Sequence, residues 1–188
     1  MRKLIICVAM VSLFLSKSIA QQLVVTPDGL RSTADTNNAF VVIAVDGVSA
    51  TNLYNRSLTF IHDTYKNPDK VIKGKLENES ITFEPFVEAF PIVKNSWAKM
   101  SINTTYTVEL RFKDGKARYK IYNMEMVNAD APIYKAVFSG GLLSGYPIYN
   151  TKGKLLRPDT KKDIEEHFAK EIATLTEFLQ KKAATDNW

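Results

Sequence analysis

Cysteine is nearly missing from this chain: the only one, Cys7, falls within the first twenty residues. A lone cysteine makes no intrachain disulfide and no thiolate metal cluster, so stability has to come from an ordinary hydrophobic core. Histidine is almost as scarce. His62 and His167 lie far apart, on separate expected helices, whereas a zinc site needs several ligands at short spacing. No metal and no cofactor is implied. The longest apolar run, Leu4 to Leu15, would extend ~18 Å as a helix at ~1.5 Å per residue. That is well short of a hydrocarbon core of ~30 Å, so no stable membrane span is expected.

Phosphate-loop and nucleophile-elbow patterns are missing as well. A phosphate-binding loop places lysine and then a hydroxyl residue after its glycines. In "SGGLLSGY" (Ser139 to Tyr146), Gly145 is followed by Tyr146-Pro147 instead. The pairs Gly74-Lys75, Gly115-Lys116 and Gly153-Lys154 continue with Leu, Ala and Leu. An elbow needs glycine two positions either side of its serine. Ser144 has Leu142 in that place and Ser139 has Val137.

What is present begins with an address. Arg2 and Lys3, the apolar run and the small-residue site Ser18-Ile19-Ala20 have the layout of a secretory signal peptide cleaved after Ala20. Loss of Arg2, Lys3 and Lys17 would lower the formal charge from +5 to +2. The basic balance therefore belongs largely to the leader and gives no reason to expect nucleic acid. Periplasmic or secreted location is expected.

Past the leader, residues 21–38 read as an N-terminal extension and linker around a "PDG" turn. "AFVVIAV" from Ala39 is a buried strand, and Gly47 ends it. Tyr54, Leu58, Ile61 and Tyr65 then recur at helical spacing, with Ser49 or Thr51 as cap and Asn67-Pro68 as stop. Four strands follow: "KVIKGKL", "SITFEPFVEAFPIV", "KMSINTTYTVELRFK" and "KARYKIYNM", the last two joined at Asp114-Gly115. In the third strand Met100, Ile102, Tyr106, Val108, Leu110 and Phe112 share a dry face. A long irregular stretch leads to a final helix opened by Pro158-Asp159-Thr160, with Thr160 and Asp163 spaced as a capping box. Ile164, Phe168, Ile172, Leu175 and Leu179 form its apolar stripe. The expected fold is α+β: one antiparallel sheet in the order strand, helix, four strands, helix, with both helices on one face. One domain spans 39–183.

The stretches "LYNRSLTFIHDTYKNPDKVIKGKLENESITF" and "TYTVELRFKDGKARYKIYNM" resemble a Gram-negative bacterial family of exported proteins. Its domain has no assigned function and a TATA-box-binding-protein-like fold. The resemblance covers roughly Ala39 to Val127. It implies architecture and envelope location, and it transfers no catalytic residues.

The remaining candidates come from the residues themselves. Glu84 and Glu88 are four strand residues apart, ~13 Å at ~3.3 Å per residue, too far for a glycosidase pair at ~5.5 to ~9.5 Å. They are expected on the wet sheet face with Lys73, Lys75, Lys99, Arg111, Arg118 and Lys120, in cross-strand ion pairs. Phe86, Phe90 and Tyr122 are placed on that face too, as candidate binding aromatics. His62 is expected as a half-buried packing residue. His167 and Glu171, one turn apart, suggest a surface pair, although Glu171 falls within the apolar stripe. The tripeptides starting at Asn55, Asn78 and Asn103 fit glycosylation acceptors, doubtful behind a bacterial-style leader. Leu142, Leu143, Tyr146, Ile148 and Tyr149 load the glycine loop with apolar side chains. Either they cover Phe86 and Phe90 as core, or they project as an anchor for a partner. The pattern points to a non-catalytic envelope module binding a protein or a glycan. The alternative is a hydrolase of envelope polymers whose carboxylates are assembled by the fold.

Overall fold

The computed structural model describes residues 21–95, 98–141, 143 and 145–181. The leader and its cleavage site, Leu142 and Ser144 lie outside the described residues.

Two long strands organise the sheet. β8 (Ala98–Lys113) and β9 (Lys116–Asn128) meet at Asp114-Gly115, where Gly115 takes φ +75°. Numbering in chain order also gives β1 (Leu23–Thr26), β2 (Gly29–Ser32) and β3 (Phe40–Ala44). Helix α1 (Ala50–Thr64) and the single turn α2 (Pro68–Val71) follow. Next come β4 (Ile72–Leu76), β5 (Ser80–Phe83), β6 (Phe86–Val87) and β7 (Ile92–Asn95). After β9 the chain forms β10 (Lys135–Gly140), β11 (Tyr146–Asn150) and α3 (Pro158–Gln180). Along one side β8 pairs successively with β7, β6 and β5, and along the other with β9; β9 in turn pairs with β3 and β10.

The expected dry face of β8 holds for Ile102, Tyr106, Val108, Leu110 and Phe112, which are buried, while Met100 is half-buried and Thr107, beside the bulge, is buried as well. Both helices cover this face. Tyr54 of α1 meets Phe112 edge-on at 5.9 Å, and Phe168 of α3 meets Tyr106 edge-on at 5.1 Å. Ser49 caps α1, accepting from Asn52 N. The α3 stripe from Ile164 to Leu179 is buried as the period requires.

Several expectations are corrected. The strand expected across 80–93 is three pieces. Pro85 and Pro91 have no N–H to give a ladder, and Ala89 takes φ +53°. Pro68 opens a helical turn before β4. The segment expected as extension and linker forms β1 and β2, whose Leu23, Val25 and Leu30 join the same core. Val25 N donates to Glu165 on α3 at 2.8 Å, and Val25 O accepts from Tyr149 at 2.9 Å. Helix α3 starts at Pro158, so no Thr160–Asp163 capping box forms; Thr160, buried inside the first turn, donates to Ile92 O at 3.2 Å. His62 is exposed, because the inward face of α1 runs through Leu53, Tyr54, Ser57, Phe60 and Ile61.

The stretch expected to be irregular supplies β10 and β11, which pair in parallel, whereas the other pairings are antiparallel. Gly145 makes this close return possible. Its φ is +89°, and a Cβ there would lie 2.3 Å from the Lys135 carbonyl oxygen. The close backbone crossing is what requires glycine here.

Candidate functional site

The densest group of chemistry-bearing side chains lies between α3 and the long strands. On α3 the spacing of four puts His167 and Glu171 on one face, beside Phe168. On β8 the alternation turns Tyr106 toward the helix. β9 then takes up an extra residue around Asn123 (φ +51°), between the pairs Thr105↔Glu125 and Thr107↔Tyr122. Tyr119 faces the helix from the regular part of β9.

Glu171 accepts from Tyr106 at 2.6 Å and from Tyr119 at 2.8 Å. His167 Nε2 stands 3.6 Å from Glu171 and 3.4 Å from the Tyr106 hydroxyl. Exposure falls inward: 28% for the His167 side chain, 14% for Glu171, and 1% and 0% for Tyr106 and Tyr119. Phe90 stacks on the imidazole with centroids 4.1 Å apart. Outside this stack lies a shallow hollow of about 380 Å³, rimmed by Asp163, Glu166 and Lys170.

Burial pushes the Glu171 carboxyl up, against the two tyrosine hydrogen bonds that pull it down. Burial pushes His167 down, and Lys170 adds to the effect. Burial, followed by the charge of Glu171, pushes Tyr65, Tyr106 and Tyr119 up. Every shift favours a neutral group. Phenols held this high are poor nucleophiles at neutral pH, and only His167 reaches the hollow. The arrangement is chemically a polar clamp between α3 and the sheet.

The structure separates the sequence-expected binding residues. Leu143 is fully exposed, and Tyr146 is half-buried at the start of β11. Tyr149 is core, so the described side chains of the apolar segment divide between core and surface. Phe86 is 56% exposed. Phe90 is on the helix side, not on the wet face with Phe86. Tyr122 is partly exposed, with Lys120 Nζ 5.8 Å from its ring centroid. No ring contact among the described residues joins Phe86 to Tyr122. Leu142 lies outside the described residues.

Leu143 and Tyr146 instead line a hollow of about 530 Å³ together with Ile133, Tyr134 and Val137. Ile133 is 82% exposed and Tyr134 48%, with the Tyr134 and Tyr146 rings 6.1 Å apart. Sequence reasoning passed over Ile133-Tyr134; its one signal was an apolar pair directly after the "NADAP" turn. On the wet face Lys73 meets Glu84 at 3.5 Å, and Glu109 meets both Arg111 and Arg118 at 2.6 Å. Among the described residues no cluster of three His, Cys, Asp or Glu side chains could hold a metal, and no helix is long and apolar enough to cross a membrane.

Residues 40–126 match the family model described as "Domain of unknown function (DUF4468) with TBP-like fold". No curated protein matches the chain. Among solved structures, one similar chain is a DUF4468 family protein from Bacteroides ovatus, with TM-score 0.54 and 11% identity. That likeness covers 79% of this chain and 87% of the other. Another is a TBP-like protein from Parabacteroides distasonis, with TM-score 0.50 and 14% identity, covering 75% of this chain and 90% of the other. At these identities the likeness is one of fold.

Proposed function

Residues 40–126 match a family of TBP-like domains of unknown function, and on that fold we propose that the chain is an exported, non-catalytic envelope module that docks a partner protein on the Leu143 surface. One observation carries the reading: Ile133, Tyr134 and Leu143 stand exposed together around a single hollow beside β10 and β11. Contiguous exposed apolar side chains mark interaction sites on soluble proteins, and tyrosine is favoured at binding hot spots. Arg157 lies over the Tyr146 ring at 5.8 Å and donates to Pro147 O at 2.7 Å. These contacts, and Pro147 itself, blunt strand addition at β11, which favours side-chain docking over β-augmentation. The buried state of the Glu171 cluster supports the non-catalytic part. The layout of residues 1–20 supports export.

The test replaces Ile133 and Leu143 together with serine. Neither side chain is core, so the melting temperature should hold. Crosslinking of the wild-type chain in intact envelopes should yield a defined adduct that the variant loses. Adducts of equal yield from both proteins would sink the docking surface.

A further inference from the structure

On the sheet face turned away from the helices, a cavity of about 640 Å³ opens at the hairpin end of β8 and β9. Its size falls within the ~300–1,000 Å³ of small-molecule sites. It shares no residue with the Leu143 surface. The ladder register sets Arg111 opposite Arg118 and Lys113 opposite Lys116. Like charges directly across a ladder destabilise it, and here two such pairs sit in succession on one face.

Glu109 offsets the first pair, since its Oε1 accepts from Arg111 Nε and Arg118 Nη2, each at 2.6 Å. Among the described residues neither Lys113 nor Lys116 forms an ion pair. Arg118 Nε is a buried donor without a hydrogen-bond partner, and its guanidinium is 5.3 Å from the Phe40 ring centroid. Four cations therefore face Glu79 and the shared Glu109, an excess of two positive charges. Leu76, 56% exposed, and Val42 give the same cavity an apolar side.

We infer that this cavity binds a phosphomonoester carried on a small apolar or ring-shaped body. A phosphomonoester holds about −1.5 to −2 charges at pH 7 and three acceptor oxygens, which match the excess. The lysines supply movable point charges, and the Arg118 guanidinium, held by Glu109, adds a fixed positive charge. A long polyanion fits less well, because it needs a continuous basic stripe and Lys73 beyond the cavity is already paired with Glu84.

The experiment is calorimetric titration of the full chain with phenyl phosphate, inorganic phosphate, phenyl sulfate, single-stranded DNA and phosphatidate vesicles, alongside Lys113→Gln/Lys116→Gln and the remote Lys152→Gln. Phenyl phosphate should bind more tightly than inorganic phosphate, which lacks the ring, and than phenyl sulfate, which lacks the second charge. The double variant should weaken binding about tenfold or more, while Lys152→Gln leaves it unchanged. Without ligand the double variant should melt at the wild-type temperature or above, since it loses a repulsion. That outcome separates loss of binding from loss of fold. Absence of saturable phenyl phosphate binding would overturn the assignment. So would equal affinity in the double variant, equal affinity for phenyl sulfate, or binding seen only with single-stranded DNA or phosphatidate vesicles.

Discussion

Glu171 is the residue on which most of the interior polar chemistry depends. Replacing it with alanine leaves the Tyr106 and Tyr119 hydroxyls buried without their acceptor, at about 1–3 kcal/mol each. Glutamine keeps an acceptor and removes the ionisation. In thermal melts at pH 7, Glu171→Ala should therefore fall well below wild type, while Glu171→Gln stays close to it or above. The pH profile tests the cause. Burial raises the folded value of Glu171 from about 4.5, so the native state binds the proton more tightly than the unfolded chain does. This contribution is complete below the unfolded value and is lost as pH rises through the folded one. His167 is lowered from about 6.5, and its contribution is present above that value and lost as pH falls. Glu171→Gln should flatten the decline on the alkaline side of about pH 4.5. His167→Gln should flatten the decline on the acid side of about pH 6.5. Profiles that keep the wild-type slopes would count against the clamp.

At the scale of elements, the hairpin of β1 and β2 and the return between β10 and β11 are where local reading fell short. "LVVT" and "GLRS" are too short to announce a buried strand pair. Their partners, Glu165 and Tyr149, lie more than a hundred residues away. If the hairpin is core, Leu23→Ala should cost about 2–5 kcal/mol, read as a lowered denaturation midpoint. A linker residue would cost almost nothing. "SGGLLSGY" signals a turn but not a parallel return, because the constraint is set by the Lys135 carbonyl and not by the loop's own residues. Gly145→Ala has to fit a Cβ against that oxygen at positive φ, and should destabilise by about 1–3 kcal/mol or more. Gly141→Ala, with open space around its Cβ, is the control and should be near neutral. Equal melting temperatures for the two would contradict the described crossing.

For the whole molecule, the two faces of the sheet divide the work. One is sealed by α1 and α3; the other stays open, with its charged cavity, and the Leu143 surface projects beside β10 and β11. Intact-mass measurement of the protein recovered from its producing cell should give a chain beginning at Gln21. A mass that retains Met1 to Ala20, or one that carries a lipid, would refute the proposed processing.

The β8–β9 hairpin, the dry face of β8, the inward stripe of α3 and, as one of two candidates, the Ser49 cap were legible in the sequence by itself. Each is set by neighbours within one turn or one strand, where spacing and turn chemistry are the physics. The TBP-like α+β fold matched by residues 40–126 was legible for the same reason, since a helix-turn-hairpin pattern carries it. Spacing reports which face a side chain takes, not what waits on the other side. The helical wheel placed Glu171 in the apolar stripe, but only packing supplied Tyr106 and Tyr119 as its donors. The Asp114-Gly115 turn set Lys113 opposite Lys116, but only the assembled sheet brought Val42 and Leu76 beside them around an open cavity. Those contacts join residues distant along the chain. Their energies are settled by burial and by partners, quantities that come into being when the sheet closes under its helices.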